Sequence, residues 1–333
     1  MKTIIIAEAG VNHNGNIKLA LRMVDIAAKS KADFIKFQTY STDDLVQENF
    51  GLAGYQKKTV KNIFKQKQLL KKYELSKKDH LIIIKRCREK KIKFMSSPFD
   101  LKSINLLKHL KLKTIKIPSG EITNIPYLEK LGQLKRNIIL STGMANLKEI
   151  KIAIKILING GTKKKNITVL HCSTEYPANI KKLNLLSIRY LKKKLNMKIG
   201  YSDHSLGYEA SLIAVAFGAE VLEKHFTTNK ILKGPDHSAS LSPKELYEYI
   251  SKIRIFEKSF GKMIKLPYKT EIRNSHFVRK NIVTLKAIKK GEIFSSKNIT
   301  TKRSKPGLSS SKWELVLGKK SKFNFKEDEN VKI

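Results

Sequence analysis

The sequence predicts a (β/α)8 TIM barrel followed by a small β-rich domain. Three observations carry that reading. Short β-branched runs alternate with longer amphipathic stretches through roughly the first 260 residues, as repeated βα units do. Eight such alternations fit the arithmetic of a closed parallel barrel of about 250 residues. After Phe260-Gly261 the pattern changes to short strand-like pieces. A doubly wound open sheet is the fallback. At 333 residues the chain exceeds what one hydrophobic core fills, roughly 250–300 residues, so a barrel over 1–262 and an appendage are expected.

The strands are expected at Thr3–Ala7, Asp33–Gln38, Lys93–Ser97, Thr114–Ile117, Asn137–Ser141, Ile167–His171, Lys198–Tyr201 and Glu220–Lys224. Between them, apolar residues recur at helical spacing in Ile17–Ser30, Lys77–Lys90, Leu101–Leu110, Leu147–Asn159, Leu183–Leu195 and Tyr208–Phe217. The longest interruption, Thr39 to Ser76 with Gly51 and Gly54, reads as an extended βα loop of the kind that helps build or cover a site. Lys265-Leu266-Pro267 and the polar stretch to His276 place a linker at 263–276. Beyond it, Val278–Leu285, Gly291–Phe294, Lys322–Phe325 and Val331–Ile333 read as short strands of a domain over 277–333.

A net charge of +40, from 68 Lys and Arg against 28 Asp and Glu, raises a nucleic-acid reading. The excess is spread over nearly every segment as Lys, without an Arg-rich arm or RNA-binding aromatic signature, so no nucleic-acid partner is expected. A general attraction for anionic substrates is the functional consequence. Cys87 and Cys172 are the only cysteines, which excludes a disulfide framework and suits a reducing cytoplasm. The first residues carry too short an apolar run for a signal peptide, and no stretch of about 18 apolar residues suggests a membrane span.

In a barrel of this kind the chemistry sits at the C-terminal strand ends. Strand one closes on Glu8, a carboxylate costly to bury without a partner. Strand two closes Lys36-Phe37-Gln38, with Lys36 and Gln38 on one side of the pleat, and strand four closes Lys116-Ile117-Pro118-Ser119-Gly120-Glu121. Two cations at adjacent barrel mouths call for an anion such as phosphate or carboxylate. Ser96-Ser97 and Ser141-Thr142-Gly143 offer hydroxyls and backbone donors, or plain helix caps. Strands seven and eight end in Ser202-Asp203-His204 and Glu223-Lys224-His225, and two histidines on adjacent strands make a plausible open divalent site. Asp236 follows in a turn and Tyr176 closes strand six, both suited to line the same pocket.

The set Glu8-Ala9-Gly10-Val11-Asn12-His13-Asn14-Gly15, Lys36-Phe37-Gln38, Ser96-Ser97-Pro98-Phe99, Lys116-Ile117-Pro118-Ser119-Gly120-Glu121, Ser141-Thr142-Gly143-Met144, Ser202-Asp203-His204-Ser205 and Glu223-Lys224-His225-Phe226-Thr227 resembles the bacterial sialic acid synthases. The tail from Phe277 resembles the antifreeze-like (SAF) domain that these enzymes carry after the barrel. The resemblance implies condensation of phosphoenolpyruvate with N-acetylmannosamine to give N-acetylneuraminate and phosphate. It implies Lys36, Ser97, Lys116, Ser119 and Ser202 at phosphoenolpyruvate, and Glu8, Gln38, Tyr176 and Asp236 around the sugar. Glu121 and Thr174 join the substrate contacts, Thr174 standing where some members carry Asn. His204 and His225 match the metal ligands, with Mn²⁺ expected and Mg²⁺ or Co²⁺ as alternatives. A domain-swapped homodimer is also implied, in which Arg303 reaches the sugar. Two rivals share the fold: a legionaminate or pseudaminate synthase using a 6-deoxy diacetamido sugar, and a Schiff-base aldolase acting through a strand-end lysine.

Overall fold

The computed structural model describes residues 2–51 and 65–333. Gly54 and the middle of the expected βα loop lie outside the described residues. The chain divides into two compact units, Met1–Phe260 and Gly261–Ile333.

The first unit is built on eight parallel strands: β1 (Ile4–Gly10), β2 (Phe34–Thr39), β3 (Lys93–Pro98), β4 (Thr114–Ile117), β5 (Asn137–Ser141), β6 (Ile167–Cys172), β7 (Lys198–Asp203) and β8 (Val221–His225). The ladder order is β3-β2-β1-β8-β7-β6-β5-β4, and its two ends, β3 and β4, lie side by side, so the sheet curls into the expected barrel. All eight expected strands are present, most running one to three residues further at the C-terminal end.

Helices follow the strands on the outside: α1 (Ile17–Lys29), α2 (Thr42–Leu45), α3 (Gln66–Tyr73), α4 (Lys77–Glu89), α5 (Leu101–His109), α6 (Ile125–Gln133), α7 (Leu147–Asn159), α8 (Leu186–Leu195), α9 (Glu209–Ala216) and α10 (Pro243–Ser259). Their starts are chemically marked. Asn16 and Asp100 cap α1 and α5, and capping boxes at Ser76–Asp79, Asn146–Glu149 and Ser242–Glu245 open α4, α7 and α10. Among the described residues no helix is long and apolar enough to cross a membrane.

Because successive side chains on a strand alternate between faces, the barrel interior is stacked in layers. Ile6, Met95, Ile139, Leu170 and Val221, with Phe34 against them, form one apolar layer. Two residues further along these strands come Glu8, Lys36, Ser97, Ser141, Cys172 and Glu223. The apolar layer is a dry floor, and the polar layer rests on it.

The second unit has its own core of Ile282, Ile288, Phe294, Ile299, Val316, Phe325 and Val331. Its one two-stranded ladder pairs β9 (Asn281–Thr284) with β10 (Ile299–Lys302), antiparallel. The stretch expected as linker, 263–276, carries most of a helix, α11 (Lys269–Val278), opened by the Glu271 carboxylate accepting from the Tyr268 backbone N–H. The segments Gly291–Phe294, Lys322–Phe325 and Val331–Ile333 are not strands; single bridges such as Ile293 to Lys320 and Ile288 to Phe325 tie this part together.

Candidate active site

The registers of the parallel ladder set the site. Glu8 pairs with Lys36 on one side and His225 on the other, Gln38 pairs with Ser97, and Ser202 pairs with Cys172 and Glu223. Each is the last or near-last inward residue of its strand. A shared pleat therefore brings them to one height at the barrel mouth.

Four charges lie at the centre, all nearly sealed from solvent. Lys36 Nζ is 2.8 Å from Glu8 Oε2 and 3.7 Å from Glu223 Oε2, and Lys116 Nζ is 3.4 Å from Glu223 Oε1. Lys36 also donates to Ser97 Oγ at 3.2 Å, and Ser202 Oγ donates to Glu223 at 2.9 Å. Two ammonium groups and two carboxylates balance in sign, which is the condition for burying any of them.

Their environments push them apart in basicity. Burial lifts the Glu8 carboxyl to about 7, only partly offset by the Lys36 charge. Burial acts the same way on Glu223, but Lys116 and Lys36 outweigh it and hold that carboxyl below the usual range. Lys36 is held above its ordinary value because Glu223 and Glu8 more than offset its burial, whereas Lys116 is lowered by burial.

The two histidines stand beside this cluster, with ring centroids 5.6 Å apart. His204 Nδ1 is hydrogen-bonded to the Ser173 carbonyl, so the proton sits on that nitrogen and the lone pair of Nε2 is left facing Tyr176 Oη at 3.1 Å and Ser202 Oγ at 3.3 Å. His225 Nδ1 is buried with no hydrogen-bond partner among the described residues. Burial lowers His204 to about 4 and His225 well below its ordinary value, so both rings are neutral. Two neutral imidazoles with nitrogen lone pairs in reach fit a divalent ion. Among the described residues no three His, Cys, Asp or Glu side chains converge on one point.

Gly10 makes this crowding feasible. Its φ is +52°, and a Cβ there would stand 3.2 Å from His225 Cε1 and 3.4 Å from Glu8 Oε1. A side chain would press on both groups from a backbone shape that only glycine adopts freely.

These residues line a cavity of about 360 Å³, large enough for a small-molecule site. Glu8, Lys36, Gln38, Ser97, Lys116, Ser119, Tyr176, Ser202, His204, His225 and Asp236 all face it. Asp236 is buried there, and burial raises its carboxyl to about 6. Two of the expected barrel residues do not line it. Glu121 lines a separate hollow with Asp44, Asp100 and Tyr127, bonded to Asn124 Nδ2 at 2.7 Å. Thr174 is exposed, and its Cγ2 would lie 2.9 Å from a Cβ on Gly143. Arg303 is exposed on the second unit, just past β10. One central residue went unread as a separate site residue: Glu223, which alternation places on the same face as His225. Its neighbour Lys224 points the other way, where it meets Asp203 at 2.9 Å.

Residues 23–265 match the NeuB family and residues 279–332 match the SAF domain. The chain belongs to the NeuB family. This is the membership that the strand-end motifs implied. A NeuB-family relative from Campylobacter jejuni, the N,N'-diacetyllegionaminic acid synthase, is 50% identical over 331 residues, covering 99% of each chain. The protein of the same name from Legionella pneumophila is 39% identical over 326 residues, covering 97% of this chain and 92% of its own. Among solved structures, the N-acetylneuraminic acid (sialic acid) synthetase of Leptospira borgpetersenii, in complex with citrate, matches with a TM-score of 0.74 at 37% identity over 84% of this chain and 93% of its own.

Proposed function

We propose that this protein condenses phosphoenolpyruvate with a 6-deoxy diacetamido sugar, giving N,N'-diacetyllegionaminate and phosphate. The chain is a phosphoenolpyruvate-using, C–C bond-forming enzyme of the sialic acid synthase type. The finer reading rests on the relative that is half identical over the full length and bears that product's name. It favours the 6-deoxy diacetamido acceptor over N-acetylmannosamine, the acceptor first expected.

In the proposed reaction, C3 of phosphoenolpyruvate bonds to the aldehyde carbon of the open-chain sugar, the aldehyde oxygen takes a proton, water adds at C2, and phosphate leaves with C–O cleavage. Lys36 and Lys116 hold the carboxylate and phosphate and offset their negative charge as C2 becomes tetrahedral. Glu223, between the two lysines, fixes their spacing. Glu8 has a carboxyl near neutrality, matched to giving and taking a proton at working pH. His204 and His225 hold a divalent metal, Mn²⁺ by preference with Mg²⁺ or Co²⁺ as alternatives. The chemistry such an ion supplies when bound is Lewis-acid polarisation of a carbonyl oxygen. Gln38, Tyr176 and Asp236 orient the sugar, and Arg303 is assigned to the sugar as well, in a domain-swapped homodimer.

The test is phosphate release from phosphoenolpyruvate with Mn²⁺ and either the diacetamido sugar, N-acetylmannosamine or no sugar, with His204→Ala as control. Release with the diacetamido sugar, lost in the variant, is expected. Release with N-acetylmannosamine alone would move the assignment to N-acetylneuraminate, and no release with either sugar would end the synthase reading.

A further inference from the structure

We propose that an apolar wall contributed by the segment after β2 selects the acceptor. Leu45 and Leu70, backed by Val11, Tyr40 and Leu69, form the surface against which the C6 methyl and the acetyl methyls of the sugar pack. The inference rests on the proposed function above and names the subsite responsible for its specificity.

The cavity is lined by two groups of opposite character. One is the cluster of Lys36, Lys116, Glu8 and Glu223 with its serine hydroxyls. The other is a separate apolar cluster, in which buried Val11, Tyr40, Leu69 and Tyr73 pack with half-buried Leu45, Leu70 and Phe99. The second group stands apart from the main core, on α2, α3 and the residues that follow β1, β2 and β3. Tyr40 Oη donates to the Leu70 carbonyl at 3.1 Å, which fixes α3 against the barrel. Leu69 and Tyr73 serve that docking, being almost fully buried. Leu45 and Leu70 are only half-buried and face the cavity, so docking alone does not account for them.

Phosphoenolpyruvate is small and anionic and gains nothing from leucines. The acceptor is the substrate that can use them. A C6 hydroxyl set against this wall gives up water and gains no hydrogen bond, whereas a C6 methyl and a second acetyl methyl gain burial. Gln66 and Asp236, which line the same cavity, supply polar partners for the amides and the remaining hydroxyls.

Selectivity reads this directly. The ratio of kcat/KM for the diacetamido sugar to that for N-acetylmannosamine is measured by phosphate release with the full chain and Mn²⁺, for wild type, Leu70→Asn, Leu45→Asn and Leu70→Met. One apolar contact of this size discriminates about 10- to 200-fold, so each Asn variant is expected to lower the ratio about tenfold or more. The fall should come through KM for the diacetamido sugar, and Leu70→Met, which keeps the apolar surface, should hold the ratio. Should Leu70→Asn fail to fold, Leu45→Asn on the short helix α2 decides the matter. An unchanged ratio in the folded Asn variants overturns the proposal, as does an equal loss with both sugars. A wild type that prefers N-acetylmannosamine overturns the proposed function itself, and shows it before any variant is made.

Discussion

At the scale of single residues, the site is a problem of burying charge. Glu223 meets both lysines and a serine hydroxyl, so Glu223→Gln leaves two ammonium groups facing Glu8 alone. Breaking a buried pair in this way costs about 3–5 kcal/mol. Because Lys116 is then the uncompensated charge, adding Lys116→Met should recover part of the loss, making the double variant more stable than the sum of the singles by roughly 1–3 kcal/mol. Urea unfolding of the four proteins checks this, and strict additivity would remove Glu223 from its central place. Asp236 gives a second prediction, in pH. Its carboxyl is raised from 3.8 to about 6 by burial. The folded state therefore prefers the protonated form, and stability is lost as pH rises through that window. A rise of that size corresponds to roughly 3 kcal/mol, so Asp236→Asn should match wild type below about pH 4 and exceed it by up to that amount above about pH 6. A stability difference flat across the window would show that the carboxyl is ionised freely in the fold.

At the scale of elements, what was legible and what was not follow from the same physics. Parallel barrel strands are buried on both faces, so they appear as β-branched runs whose ends are marked by the first polar residue, and Thr114–Ile117 and Asn137–Ser141 fall where the pattern put them. Glu8, Lys36 and Lys116 were legible because charges that close apolar strands have nowhere cheap to go, and the two histidines because polar rings at adjacent strand ends stand out against the apolar runs. The helix α6 was harder to read, because Pro126 and Gly132 dilute its periodicity, although Asn124 caps it. Gly132 is there for packing: a Cβ would lie 2.9 Å from the Leu157 carbonyl on α7, and one on Gly160 would lie 2.8 Å from Gly132 Cα. Gly132→Ala should thus destabilise by about 1–3 kcal/mol despite its better helix propensity, because the contact is backbone on both sides and neither helix can yield alone. A variant as stable as wild type in thermal unfolding would mean that the helices slide apart at little cost. The second unit was the least legible part because most of its ordering comes from single bridges and turns rather than ladders, and such contacts leave no period in the sequence.

At the scale of the whole molecule, the charge of +40 is a mechanical load as well as a lure for anions. Like charges over one surface repel, and that repulsion is relieved when the chain expands, so it works against the folded state. Exposed pairs such as Lys302 with Asp328 and Lys102 with Asp44 act in the opposite sense, but such pairs are weak in water and weaker when screened. Screening discriminates between the two by distance. The Debye length falls from about 30 Å at 0.01 M salt to about 8 Å at 0.15 M, which removes repulsion across the molecule while leaving contacts at hydrogen-bond range largely intact. Sodium chloride added over that range should accordingly raise the thermal midpoint, by roughly 2–4 °C for each kcal/mol of repulsion relieved. Chloride is the right anion for this test, since phosphate is a product under the proposed function and would stabilise by occupancy. A midpoint that falls with chloride would show that the short-range pairs outweigh the net charge, and would make the lysine excess a source of stability through its partners.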